Sequence, residues 1–421
     1  MKYYLLTLSV LLSFPLMAQS TLEDCRSMAR QHYPSVRRYE LIQKTRDLSL
    51  SSASKSYLPQ IVLGAQASWQ NAVATFPEEL TGIVKAAGMD IPGIRKDQYQ
   101  VSVNIEQPLW DGGASASNKK ITEAQSLVDS GSLNVELDEL EKRVDDIYFG
   151  ALMLESRISQ AQSLIAFLQD KLDMVNAMKR SGVALQSDSD ALEAERLGAE
   201  DALGALQTAK QSYLQMLSLF TGAQIDSLCV PEMPAFERNT THPQLSFLDN
   251  RMALLEQQES AVRVSLMPRL SLYAQGWYGY PGLDMFRSMV SPDWSFNVIA
   301  GLRLKWNFSA LFTREDSLQK IALQRQELEI QRDQLEFNQS LLNENELQDI
   351  RRLEESLERD RRISELRTSV RRAAESQYRN GVINLNDLLK TAKDENDALQ
   401  TQALHRLELI KTAYEYKHNT L

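Results

Sequence analysis

The chain has 421 residues, of which 43% are hydrophobic and 24% charged, with a formal net charge of -10; an acidic balance of this size argues against nucleic acid as a partner. Cys25 and Cys229 are the only cysteines, too few for a disulfide framework, and whether they bond to each other is left open. After the N-terminal segment no run of about 20 apolar residues occurs, which excludes a transmembrane helix and leaves β-strands as the only means of crossing a membrane.

Lys2 is followed by an apolar run from Leu5 to Leu16 and by Met17-Ala18-Gln19, the pattern of a secretory signal peptide over residues 1–18. Leu16 at the minus-three position leaves the cut site open, and the mature chain is expected to be exported. A helix then leads from Tyr33-Pro34 to Leu58-Pro59. From Gln60 to Gln70, Ile61, Leu63, Ala65, Ala67 and Trp69 alternate with more polar neighbours, and Tyr99, Val101, Val103 and Ile105 do so from Gln98 to Glu106. Both segments have the period of a strand. Pro77 and Pro92 suit irregular structure in the connection from 71 to 97. Asp111-Gly112-Gly113 reads as a strand-to-helix turn; no Lys-Ser/Thr follows to make it a phosphate cradle.

Leu133, Leu137, Leu140, Val144, Ile147, Ala151, Leu154, Ile158, Ala161, Ile165, Leu168, Leu172 and Val175 then recur in alternating steps of four and three. This heptad seam predicts a helix from about Ala114 to Lys179, on the order of 100 Å long, packed along its length on a partner. The partner is expected at Asp188 to Leu219, past a turn at Gly182.

The same order follows from His242-Pro243. Leu266-Met267-Pro268 answers Tyr57-Leu58-Pro59, and strands follow with Leu270, Leu272, Ala274, Gly276 and Tyr278, then Phe296, Val298, Ala300, Leu302, Leu304 and Trp306. Pro281 and Pro292 lie in the connection between them. A long helix from Leu311 to Arg379 has a looser seam, with Leu328, Leu335 and Leu342 and then a shifted stripe of Ile350, Leu353 and Leu357. Asn380-Gly381-Val382 answers Ser181-Gly182-Val183. Such ordered recurrence predicts tandem duplication, residues 19–229 and 230–421 each giving a helix, two strands and a long helical hairpin.

Four segments of about 10 residues with aromatics toward their ends match tilted strands of an outer-membrane barrel. Four strands cannot close a barrel, and each open edge in hydrocarbon leaves roughly five unpaired backbone groups at several kcal/mol each. Oligomerisation is therefore expected. Three chains supplying about 12 strands would enclose a water-filled pore. The fold expected is mainly α with membrane β: a 12-stranded barrel shared by a trimer and continued by a long coiled-coil helical barrel.

With the duplicated halves, paired strands, long helices and Gly-Val turns in view, the chain resembles the TolC family of outer-membrane factors. The most specific stretches are Tyr378-Arg379-Asn380-Gly381-Val382-Ile383-Asn384-Leu385-Asn386-Asp387-Leu388-Leu389 and the weaker Arg180-Ser181-Gly182-Val183-Ala184-Leu185-Gln186-Ser187-Asp188, which are similar to the family's periplasmic helix-turn-helix tips. Gly182 and Gly381 suit left-handed helix C-caps, and Asp188 and Asp387 suit the start of the next helix as carboxylates accepting backbone N–H groups. The resemblance implies more. Asp387, Tyr378, Asp188 and Ser187 fall at a periplasmic gate, where three copies of each acid would make an electronegative throat. Lys390 stands where one family member has a second acid. Gly182, Val183, Ala184, Gly381, Val382 and Ile383 would dock a periplasmic adaptor.

No catalytic constellation appears. His32, His242, His405 and His418 are scattered, without metal-ligand spacing, and no cofactor is expected. The resemblance implies the exit channel of a tripartite efflux system: a homotrimer in outer-membrane lipid, passively conducting substrate delivered by an inner-membrane RND or ABC transporter through an adaptor protein. A type I protein secretion channel is the first alternative. A pore-less periplasmic coiled-coil scaffold is the second.

Overall fold

Helix α1 (Leu22–His32) and a single 3-10 turn lead into α2 (Arg37–Lys55), β1 (Gln60–Trp69), α3 (Glu78–Ala86), β2 (Asp97–Trp110), α4 (Ala114–Arg180) and α5 (Gln186–Thr221). Then come α6 (Pro243–Val264), β3 (Arg269–Tyr280), α7 (Met285–Val290), β4 (Ser295–Lys305), α8 (Ala310–Arg379) and α9 (Leu385–Asn419). The computed structural model describes residues 20–88, 91–182, 184–235 and 242–420; the signal-peptide reading and Val183 lie outside the described residues. The strands and long helices fall where the periodicity places them. The two strand connections do not: each contains a short helix, and Pro77, expected in irregular chain, sits at the N-cap of α3. Asp284 caps α7 by accepting the Arg287 N–H at 2.9 Å.

The described residues separate into two compact units. One, from Glu40 to Ser130 and Leu248 to Glu329, holds all four strands. They form one antiparallel sheet in the order β1-β2-β3-β4, so β2 pairs with β3 and joins the two halves of the chain. β2 runs past the expected Glu106, with a register irregularity between Pro108 and Trp110, where proline has no N–H to give the ladder. The turn out of β2 is as expected. Asp111 accepts the backbone N–H of Gly113 at 2.9 Å and of Ser115 at 2.7 Å, and the Tyr57 hydroxyl at 2.6 Å. Gly112 has φ +73°, and a Cβ there would lie 2.6 Å from the Met267 Cβ.

The other unit takes the described residues up to Tyr39, Gly131 to Phe247, and Ile330 onward. Its core is the α4 seam, with Leu133, Leu137, Leu140, Val144, Ala151, Leu168, Leu172 and Val175 buried. α4 and α5 approach closely at Gly150, where any Cβ would meet the Tyr213 ring. Arg26 of α1 clamps both oxygens of Asp145 at 2.7 and 2.5 Å. The α8 seam is looser, as its spacing implies: Leu328, Ile350 and Leu353 are buried and Leu342 is exposed. Cys25 and Cys229 are both free thiols.

Candidate functional site

In the sheet, register decides chemistry. Ile61 lies opposite Ile105, Leu63 opposite Val103, and Ala65 opposite Val101. Val101 faces Tyr278, which faces Phe296, and Leu272 faces Leu302. Every apolar residue singled out by period two therefore falls on one face spanning all four strands. The other face carries Gln66, Gln100, Ser102, Asn104, Gln275 and Asn297. Such a two-faced sheet in a soluble protein would cover its apolar side, but here Leu63 (73%), Phe296 (74%) and Leu302 (66%) are exposed. Lipid outside and water inside is the pairing of environments that suits this surface. Among the described residues β1 and β4 each have only one neighbouring strand.

At the helix turns, Gly182 (φ +76°) and Gly381 (φ +71°) adopt the left-handed conformation expected of them. The Val382 N–H returns to the Gln377 carbonyl at 2.9 Å and the Gly381 N–H to Tyr378 at 3.0 Å, closing the end of α8. Asp188 accepts the Leu185 N–H at 3.2 Å, as a capping carboxylate should. Asp387 does not do so. Asn384 is the N-cap and accepts the Asp387 N–H at 2.9 Å, because it sits one turn earlier, at the position where a short side chain reaches N3. Asp387 is left exposed, as are Gly381 and Val382.

Behind the turns, Leu168, Leu172 and Val175 of α4 meet Leu192 of α5 and Leu385 of α9 in one buried cluster, with Ala184, Tyr378 and Leu389 packed on it. Ala184, expected as a free docking contact, is thus partly spent on the core. Burial, and then the charge of Asp188, push the Tyr378 hydroxyl pKa up, so these two gate candidates share one neighbourhood. Ser187 is exposed. Its neighbour Ser189 is buried and donates to Asn176 Oδ1 at 2.8 Å.

Sequence reasoning missed the polar lock beside this cluster. Lys171 (8% exposed) of α4 pairs with Glu375 (19%) of α8. Glu375 also meets Arg371 at 3.0 Å and Arg379 at 3.1 Å, and Arg371 pairs with Glu395 of α9. The Phe167 ring lies under Lys171 at 5.1 Å and Arg371 at 5.8 Å. The partners stand 204 residues apart, a juxtaposition that local periodicity cannot signal. Elsewhere in this unit His418 lies 2.9 Å from Asp138, and burial lowers the pKa of nearby His242. Among the described residues no group of three or more His, Cys, Asp or Glu could hold a metal ion, and no helix is long and apolar enough to cross a membrane.

Residues 25–223 match the family model described as outer membrane efflux protein. No curated protein matches the chain. Several solved structures share its fold. They include the outer membrane protein VceC from Vibrio cholerae, at TM-score 0.66 and 13% identity over 95% of this chain and 96% of that one. The Campylobacter jejuni CmeC outer membrane channel gives TM-score 0.66 and 12% identity, covering 95% and 85%. The open state of the Neisseria gonorrhoeae MtrE outer membrane channel gives 0.63 and 14%, covering 94% and 88%.

Proposed function

We propose, on the match of residues 25–223 to the outer membrane efflux protein family model, that this chain is a channel of the outer membrane, not an enzyme, and the exit duct of a tripartite efflux system. Three chains close one barrel, β4 of each pairing with β1 of the next, and their long helices form the periplasmic tunnel. We read the two halves, 19–229 and 230–421, as tandem copies that each supply two strands and one helical hairpin. Conduction is passive: an inner-membrane RND or ABC transporter supplies substrate and work, and a periplasmic adaptor docks on the turns at Gly182 to Ala184 and Gly381 to Ile383.

The observation that carries this reading is the continuous apolar face of a four-stranded sheet whose two outer strands lack a second partner among the described residues. Backbone groups in hydrocarbon must be paired within protein, so a lone chain cannot remain in the bilayer. An antiparallel meander with an even number of strands presents β1 and β4 in opposite directions, which lets copies join head to tail around a ring without breaking the antiparallel pattern.

The gate would lie at the tips. Tyr378 and Asp188 hold the turns together near the apolar cluster, and exposed Asp387, in three copies, lines the throat. Adaptor docking would favour the open arrangement by binding it better than the closed one. Light scattering of the detergent-purified protein, corrected for bound detergent, tests the assembly: a protein mass of three chains is expected. A stable monomer inserted in bilayers would refute it, and so would recovery of the protein in the soluble periplasmic fraction, which the scaffold alternative predicts.

A further inference from the structure

The polar face of the sheet is uncharged along most of its length. β1 has no ionisable residue on that face; β2 has Glu106, β3 has Arg269, and β4 has Arg303 and Lys305. Register gathers all four at the end of the sheet nearest the helix junctions. Glu106 lies opposite Tyr273, Ser271 opposite Arg303, and Arg269 opposite Lys305. Arg303 reaches Glu106 at 3.4 Å, Lys305 reaches it at 3.5 Å, and Ser271 donates to it at 2.9 Å. The Arg303 guanidinium lies over the Tyr273 ring at 4.4 Å. Arg269 makes no ion pair among the described residues, and a cavity lined by Arg269, Lys305, Glu106 and Asp111 opens beside it.

This arrangement works against the sheet. Arg269 and Lys305 are like charges directly opposite each other, a pairing that destabilises antiparallel ladders, and the two nearby carboxylates, Glu106 and Asp111, leave one of three cations unneutralised. Stability alone would favour alternating signs here. We infer that Arg269, Arg303 and Lys305 form an electropositive collar inside the duct that selects anionic solutes, so that the cargo carries a carboxylate, phosphate or sulfate group. The inference rests on the duct reading above and adds the substrate class to it.

Three chains bring about three surplus positive charges to one ring once Glu106 and Asp111 are set against the three cations. Within a Debye length of the ring, about 10 Å at 0.1 M salt, that surplus raises the concentration of a monovalent anion roughly twofold and lowers that of a cation as much; at 1 M, where screening falls to about 3 Å, the same point gains almost nothing. The collar therefore filters by charge and only at modest ionic strength.

Reversal potentials of the full-length protein in planar bilayers under a KCl gradient test this. At 0.1 M the wild type should pass chloride several-fold better than potassium, with the preference fading toward 1 M. R303Q/K305Q should bring the ratio down by about fivefold, and E106Q should raise it. Should the double variant fail to assemble, Arg269→Gln, which gives up no ion pair, should still lower the ratio. Conducting channels whose chloride-to-potassium ratio is unmoved by these changes, or moves with the opposite sign, would overturn the collar while leaving the duct standing. Absence of any conducting pore in the wild type would bring down both.

Discussion

Replacing Glu375 with alanine should open the turn end of the helix bundle locally. The carboxylate faces three cations, and Lys171, only 8% exposed, has no other acidic partner among the described residues. Removing one side of a buried pair typically costs about 3–5 kcal/mol, because the remaining charge stays desolvated. Arg371 keeps Glu395 and Arg379 is largely in solvent, so the penalty falls on Lys171, and partial water access brings it to about 3 kcal/mol. At about 1.4 kcal/mol per decade, amides of α4 around Lys171 and of α8 around Glu375 should lose protection from hydrogen exchange by roughly a hundredfold in E375A. The double variant K171M/E375L, which removes both charges and fills the space, should recover most of it. The hydrogen bond from Lys171 lowers the Glu375 pKa, so its contribution is complete at neutral pH and disappears as acid takes the pH through that depressed value. Wild-type protection at this end should then fall below about pH 4. Unchanged protection in E375A, or a double variant as loose as the single one, would refute the lock.

The strand-to-helix turn should respond to acid in a lower window. Burial alone would raise the Asp111 pKa, but hydrogen bonds from Ser115, Tyr57 and the Gly113 backbone outweigh it and hold the group at about 2; its stabilisation, about 2 kcal/mol before screening, is present above pH 4 and lost toward pH 2, and thermal melts of D111N should lack that part of the acid dependence. Gly112→Ala should lower the melting temperature of the assembled protein, since it forces alanine into φ +73° and against Met267, a combined loss of about 2–3 kcal/mol. Thiol titration at pH 8 should label Cys229 promptly and Cys25 only after unfolding, because burial and the nearby Asp24 charge push the Cys25 thiol up to about 11; rapid reaction of both would contradict its burial. Single-channel conductance should rise in D387A and in Y378A, and no change in either would count against the gate assignment.

The strands and the first long helix were legible in the sequence because each carries one period over many residues. The α4 seam keeps its four-three steps from Leu133 to Val175, most apolar strand positions obey period two, and α8, whose stripe shifts, was legible through its recurrence with the first half. Two short helices were missed for the opposite reason. Glu78–Ala86 and Met285–Val290 are too brief to show a period, and the prolines flanking them read as breakers although Pro77 serves as a helix start. At the tips, glycine chemistry was readable because only a left-handed backbone needs it. The choice of Asn384 over Asp387 as the cap was not, because both residue types satisfy the rule and only the position of the first helical turn decides. The Lys171–Glu375 lock and the charged collar were invisible. One joins helices distant in the chain, and the other depends on β2 pairing with β3, which brings the two halves into a single sheet instead of two separate hairpins.

The proposed sharing of one barrel between chains has a counterpart in the helices. Leu323, Ile330 and Phe337 of α8 recur at intervals of seven and are 62%, 61% and 63% exposed, a heptad stripe left bare by the described residues. Leu41 and Leu48 of α2 repeat the same interval and are equally bare. Each such side chain is worth about 1.5–3 kcal/mol when covered, and a stripe of one heptad position is covered by another helix running alongside it. Among the described residues, two strand edges and these heptad stripes are unpaired, so both compact units carry unmet valences. A ring of identical copies meets the two kinds at once, the strand edges through the backbone ladder and the stripes through knobs-into-holes packing. Aspartate in place of Ile330 should therefore weaken the assembled particle in detergent more than it weakens the secondary structure of the chain. Equal loss of helix signal and of assembled mass would mean that the stripe serves the fold of one chain and not the ring.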